Sequence, residues 1–141
     1  MVTEDYISFE TAKLLKEKGF DYPTETGYNE DGHTIERAYN IGERSIYGDA
    51  YNWNKEEIYY SRPTLWEAMR WLRRVHKLYI EIRIMNFSIS KSYDVPKYYW
   101  IVLDAEKVKW LDESTCYTPK GFDTFEESCE SAVKHCLEKL I

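Results

Sequence analysis

Residues 63–84 read PTLWEAMRWLRRVHKLYIEIRI, and their reading decides the fold. Thr64 and Glu67 have the spacing of a capping box, with Pro63 just before the cap. From there Leu65, Ala68, Met69, Leu72, Val75 and His76 fall within one arc of about 120° on a helical wheel, the face expected to meet a core. At Tyr79 the period changes. Ile80, Ile82 and Ile84 alternate with Glu81 and Arg83, as in a half-buried strand. A helix over 64–78 is therefore expected to lead straight into a strand.

C-terminal to this stretch, Ser88–Lys97, with Asp94 and Pro96, reads as a turn. Tyr98–Leu103 reads as a strand that is apolar on both faces, so something must cover the second one. Tyr98, Trp100 and Val102 make that second face; Tyr99, Ile101 and Leu103 make the first. Asp104-Ala105-Glu106 is a tight turn into Lys107–Leu111. A second capping box, Thr124 and Glu127, opens a third helix expected to run to Ile141. Phe125, Cys129, Ala132, Val133, Cys136, Leu137 and Leu140 lie on one side of it.

N-terminal to it, Ser8 is an N-cap for a short first helix, with Glu10 in its first turn. Gly19 closes that helix in a left-handed conformation, and Phe20 folds back on Leu15. Asp31-Gly32 signals a hairpin between strands near Thr24–Tyr28 and Thr34–Tyr39. Gly42, Gly48 and Asp49 break the chain, Tyr47–Asn54 is a polar and aromatic loop, and Glu57–Tyr60 fits a further strand.

The expected order is α-β-β-β-α-β-β-β-α. Runs of strands between single helices point to an α+β domain spanning residues 1–141, with three helices on a single antiparallel sheet of about 4–6 strands. The 141 residues suit one domain, and 43 % apolar residues can build a real core. No stretch approaches the apolar length of a membrane span, and the acidic, polar start is not a secretion signal. Three cysteines, two of them seven residues apart on one helix, suit reduced thiols in the cytoplasm.

The charge is uneven. The net value is −6, yet residues 58–77 carry five bases, Arg62, Arg70, Arg73, Arg74 and Lys77, against the single acid Glu67. On the wheel Trp66, Arg70, Arg73, Arg74 and Lys77 share one face of the second helix, within about 100°. An indole among guanidinium groups suits an acidic protein surface or a nucleic-acid strand. The same residues also suit a solvated face with Arg70 stacked on Trp66 and ion pairs to acidic segments. The acidic balance argues against nucleic acid, which needs a dominant positive field.

Catalytic and cofactor signals are missing. The six glycines form no phosphate loop or dinucleotide fingerprint, and there is no Gly-x-Ser-x-Gly. Cys116, Cys129, His135, Cys136, His33 and His76 lack metal-ligand spacing. Asp112 and Glu113 make a poor setting for a thiolate at Cys116. His76 sits in the apolar arc and reads as a core histidine. Neither a cofactor nor a small-molecule ligand can be assigned, and Tyr51 and Trp53 in the 47–54 loop read more simply as a lid over the core edge than as a grip on a sugar or peptide.

Three stretches, TEDYISFETAKLLKEKGFD (3–21), SRPTLWEAMRWLRRVHKLYIEI (61–82) and DTFEESCESAVKHCLEKLI (123–141), resemble small uncharacterised proteins of gut anaerobic bacteria, often encoded near phage or mobile-element genes. The resemblance implies a cytoplasmic, prophage-linked protein. It carries no activity and no functional residue.

The expectation is therefore a non-catalytic binding module for a protein partner or a second copy of itself. Its candidate partner-binding residues are Trp66, Arg70, Arg73, Arg74 and Lys77. Tyr98, Trp100 and Val102 are a candidate interface if nothing covers them. The alternative is a nucleic-acid-associated protein using the basic–aromatic face of helix 64–78.

Overall fold

Helix α1 (Phe9–Glu17) begins where the Ser8 hydroxyl accepts the Thr11 backbone N–H at 3.3 Å. It ends in a Schellman motif. The Phe20 N–H reaches the Leu15 carbonyl at 3.0 Å, the Gly19 N–H reaches that of Lys16 at 3.2 Å, and Gly19 sits at φ +90°. A computed structural model describes residues 5–36, 38–41, 44–47, 50–85 and 97–141. The breaks expected at Gly42, Gly48 and Asp49, and almost all of the turn expected at Ser88–Lys97, lie outside the described residues.

After α1 come strands β1 (Thr26–Tyr28), β2 (Thr34–Glu36), β3 (Ala38–Ile41), β4 (Arg44–Tyr47) and β5 (Tyr60–Arg62). Then follow helix α2 (Leu65–Val75), strands β6 (Leu78–Ile84), β7 (Tyr98–Asp104) and β8 (Lys109–Glu113), and helix α3 (Phe125–His135), continued by a wider π-type turn, Cys136–Leu140. The fold is α+β with three helices, as its sequence suggests. The single sheet is not found. Two three-stranded antiparallel sheets, β2-β1-β5 and β6-β7-β8, take its place, and β3 and β4 pair as a separate ribbon.

The reason is non-local. The β1–β2 hairpin forms as expected, with Asn29 accepting the Asp31 and His33 N–H groups and Gly32 at φ +81°. The other edge of β1 is taken by β5, in register Gly27↔Ser61. With both edges of β1 filled and α2 following β5, the later strands pair among themselves. The expected strand Thr34–Tyr39 becomes two strands for the same reason: β2 pairs with β1, whereas β3 pairs with β4.

The chain divides into two compact units, Met1–Ala68 and Met69–Ile141. In the first, α1 packs against β5, and Ile7, Leu15, Phe20, Tyr28 and Trp53 are buried. Gly27 is required here: a Cβ would stand 2.8 Å from the Trp53 ring and 2.9 Å from the Tyr60 carbonyl oxygen. Trp53 is buried and its indole N–H donates to the Thr24 carbonyl at 3.2 Å, so this part of the 47–54 loop lids the core. Lys16 ties down the chain before β5, donating to the carbonyls of Glu56, Glu57 and Tyr59 at 2.6, 3.1 and 2.7 Å.

In the second unit, α3 lies on the β6–β7 face that carries Trp100 and Val102. Cys129, Ala132, Val133, Cys136 and Leu137 from the α3 segment are buried, as the apolar side of the wheel requires. Lys77, at φ +58°, turns the chain from α2 into β6.

Candidate functional site

The capping box at the start of α2 is complete. The Thr64 N–H donates to a Glu67 carboxylate oxygen at 3.0 Å, and the Glu67 N–H donates to the Thr64 hydroxyl at 3.1 Å. Just upstream, Asp5–Ile7 pairs with Pro63–Leu65. The Ile7 N–H donates to the Pro63 carbonyl and the Leu65 N–H to that of Asp5. This places Tyr6 beside the first turn of α2, across from Thr64.

Leu65, Ala68, Trp71 and Leu72 form the buried side of the helix. Two details depart from the wheel. Trp71, outside the expected arc, is among the largest fully buried side chains, and Val75, inside it, is 51 % exposed. The arc is rotated toward Trp71, whose ring meets the His76 imidazole at 4.7 Å. His76 is half-buried and its Nε2 has no hydrogen-bond partner; burial pulls its pKa down, which suits a neutral, structural imidazole.

The outer side carries the expected residues. Trp66 is 62 % exposed, Arg70, Arg74 and Lys77 are exposed, and Arg73 is half-buried. Among the described residues neither Arg70 nor Arg74 has an acidic partner, and Lys77 spends its ammonium locally, donating to the Arg74 carbonyl at 3.0 Å. Ion pairs that would neutralise Arg70 and Arg74 are thus missing among the described residues. At the N-terminal end of this face, Trp66, Tyr6, Glu25, Thr64 and Glu67 line an open cleft of about 220 Å³.

The second candidate surface is not a surface. Trp100 and Val102 are buried and Tyr98 is half-buried, because α3 covers them. The Trp100 indole N–H donates to the Ser131 hydroxyl of α3 at 3.0 Å, and Tyr98 meets the Phe125 ring edge-on at 6.2 Å. On that face apolar exposure is kept to the end of β6, at Ile84, which pairs with Tyr98 and is 64 % exposed. On the other face Tyr79 and Trp110, aligned across Leu103, are 43 % and 50 % exposed.

One constellation is not visible in the sequence. Asp112 on β8 accepts the Tyr117 hydroxyl at 2.7 Å and meets His135 Nε2 at 2.8 Å. The imidazole packs against the edge of a Trp100–Tyr117 pair: the three ring centroids form a triangle with sides of 4.7 Å (Trp100–His135), 5.1 Å (Tyr117–His135) and 6.4 Å (Trp100–Tyr117). Burial pulls the Asp112 pKa up, but the hydrogen bonds from Tyr117, the Glu113 N–H and His135 outweigh it and hold the carboxyl below its ordinary range. Ser131 is engaged by Trp100, and burial, with the Asp112 charge adding to it, pushes the Cys136 thiol up to about 12. The cluster clasps β8 to α3. In sequence Asp112 marks only the acidic flank of Cys116, and His135 only the edge of a helix; their meeting is set by the sheet.

Among the described residues no three His, Cys, Asp or Glu side chains gather as a metal site, and no helix is long and apolar enough to cross a membrane. No protein-family model matches the chain, and no match was found among curated proteins or solved structures.

Proposed function

We propose that the protein is a non-catalytic binding module that docks an acidic segment of a protein partner on the outer face of α2. The observation that carries this reading is the state of Arg70 and Arg74: exposed, one turn apart, and without acidic partners among the described residues, beside a Trp66 that is 62 % exposed. In an acidic chain, guanidinium groups left without carboxylates are available to a partner's. Trp66 supplies the apolar anchor that binding faces concentrate in tryptophan and arginine.

A protein partner suits this face better than nucleic acid. Glu25 and Glu67 border the same cleft as Trp66, close to where a stacked base would sit, and a chain of net charge −6 lacks the dominant positive field on which nucleic-acid binding by counterion release depends. Arg73 and Lys77 contribute positive field along the helix, Lys77 mainly as the residue that closes it. A prophage-linked origin rests on the resemblance of three segments alone.

Chemical-shift mapping tests the reading. A ten-residue peptide of glutamates with one central leucine is titrated into labelled protein, in parallel with an oligothymidylate of equal charge. The expected result is shifts at the Trp66 indole and the Arg70 and Arg74 amides for the peptide, and weaker ones for the oligonucleotide. Shifts scattered away from α2, or none, refute the docking face. Tighter binding of the oligonucleotide at equal salt selects the nucleic-acid reading. A second copy as the partner appears as concentration-dependent shifts at the same residues without peptide.

A further inference from the structure

The cleft at the start of α2 has a chemistry opposite to that of the helix face it adjoins. It is lined by two aromatic rings, Tyr6 and Trp66, two carboxylates, Glu25 and Glu67, and the Thr64 cap. Glu25 is exposed and meets no cation among the described residues. Glu67 is held by the Thr64 N–H, so one carboxylate oxygen is oriented by the backbone.

Aromatic faces beside carboxylates favour a cation. The rings supply negative quadrupole faces, and the carboxylates supply net charge. Tyr6 already serves in this way: the Arg62 guanidinium lies 3.8 Å from its centroid and donates to the Thr26 hydroxyl at 3.2 Å. A second cation beside Arg62 needs compensating charge, and Glu25 and Glu67 provide it. The positive end of the α2 dipole works against a cation here, but it amounts to about half a charge and Glu67 faces it.

Size sets the class of ligand. A volume of about 220 Å³ lies below the roughly 300–1,000 Å³ of sites that enclose whole small molecules, so the cleft suits the end of one side chain. A compact ammonium head can meet the Glu25 and Glu67 carboxylates beside Trp66 without the planar fork that a guanidinium must align, while Tyr6 keeps Arg62.

We propose that the Tyr6–Trp66–Glu25–Glu67 cleft binds an alkylammonium group, that of a lysine side chain presented by a partner. The site shares Trp66 with the Arg70–Arg74 face but draws its charge from Glu25 and Glu67, so its cation binding does not rest on the docking reading.

The test uses the full chain and three probes that share one butyl chain: n-butylammonium, n-butyltrimethylammonium and neutral n-butanol. The readout is the Trp66 indole N–H resonance, assigned with Trp66→Phe. Both cations are expected to shift it saturably in the millimolar range, and butanol is not. Glu25→Gln, a change at an exposed position, should weaken the cations about fivefold, the effect of one partly exposed charge. Equal shifts from butanol and the cations overturn the proposal, as does a Glu25→Gln variant of unchanged affinity. In Arg70→Glu/Arg74→Glu, cation binding should persist or strengthen while the acidic peptide is lost. Loss of cation binding in that variant, with the thermal midpoint unchanged, also counts against an independent site.

Discussion

Val108 is the residue whose replacement should stabilise the protein. It sits at φ +50° and is 84 % exposed, in the connection between β7 and β8. Asp104 organises that connection by accepting the N–H groups of Glu106 and Lys107 at 2.9 and 3.0 Å. The left-handed conformation costs an L-residue about 1–2 kcal/mol, and a β-branched side chain belongs at the upper end. So little of the side chain is buried that its removal loses almost no apolar contact. Val108→Gly abolishes the steric cost but returns roughly 0.5–1 kcal/mol through the freedom of the unfolded chain, leaving a net gain of about 0.5–1 kcal/mol. Val108→Asn avoids that entropic loss and should gain about 1 kcal/mol, because asparagine tolerates this region. Val108→Ala keeps the offending Cβ and should change little. Thermal and urea unfolding of the three variants read these differences, at about 2–4 °C per kcal/mol for a chain of this size. A destabilised glycine variant, or an alanine variant as stable as the asparagine one, would refute the assignment of strain to the backbone.

Other expectations follow from the two units. Gly27→Ala should destabilise by about 2 kcal/mol, since its Cβ meets the Trp53 ring at 2.8 Å and the core must give way; urea unfolding measures it. Asp112 has a folded-state pKa below its unfolded value, so its contribution is complete above the ordinary value of 3.8 and is lost as the pH falls through the lower folded value. Stability measured from pH 6 to pH 2 should therefore fall on the acid side, with Asp112→Asn flattening that fall. Tyr117→Phe removes one hydrogen bond to Asp112 and should cost about 1 kcal/mol at neutral pH, with far-ultraviolet dichroism unchanged.

Local signals carried much of this architecture. The helix caps at Ser8, Thr64 and Thr124, the Gly19 closure and the Asp31-Gly32 hairpin depend on residues within a few positions of one another, and each is found as expected. What failed was pairing at a distance. Nothing within Thr26–Tyr28 announces that its second edge belongs to β5, more than thirty positions on. The same gap separates the two candidate surfaces. The Trp66 face could be read because a helical wheel is local, whereas the fate of Trp100 depended on where α3 lands. The Asp112–Tyr117–His135 clasp and the Tyr6–Trp66 cleft were invisible because each joins elements that only the folded chain brings together. Trp71 is an intermediate case: its burial rotates the core side of α2 away from Val75, a shift that apolarity alone does not encode.

The docking role of α2 stands or falls on one titration. Affinity for the acidic peptide is measured at two salt concentrations for the natural chain, for Arg70→Glu/Arg74→Glu, and for Lys120→Glu/Lys139→Glu as a charge-matched control at other exposed positions. The double reversal should weaken binding by about tenfold or more and remove most of its salt dependence, with the control close to the natural protein. Equal affinity in the double variant and the natural chain, at matched unfolding midpoints, would contradict the assignment of α2 as the docking face.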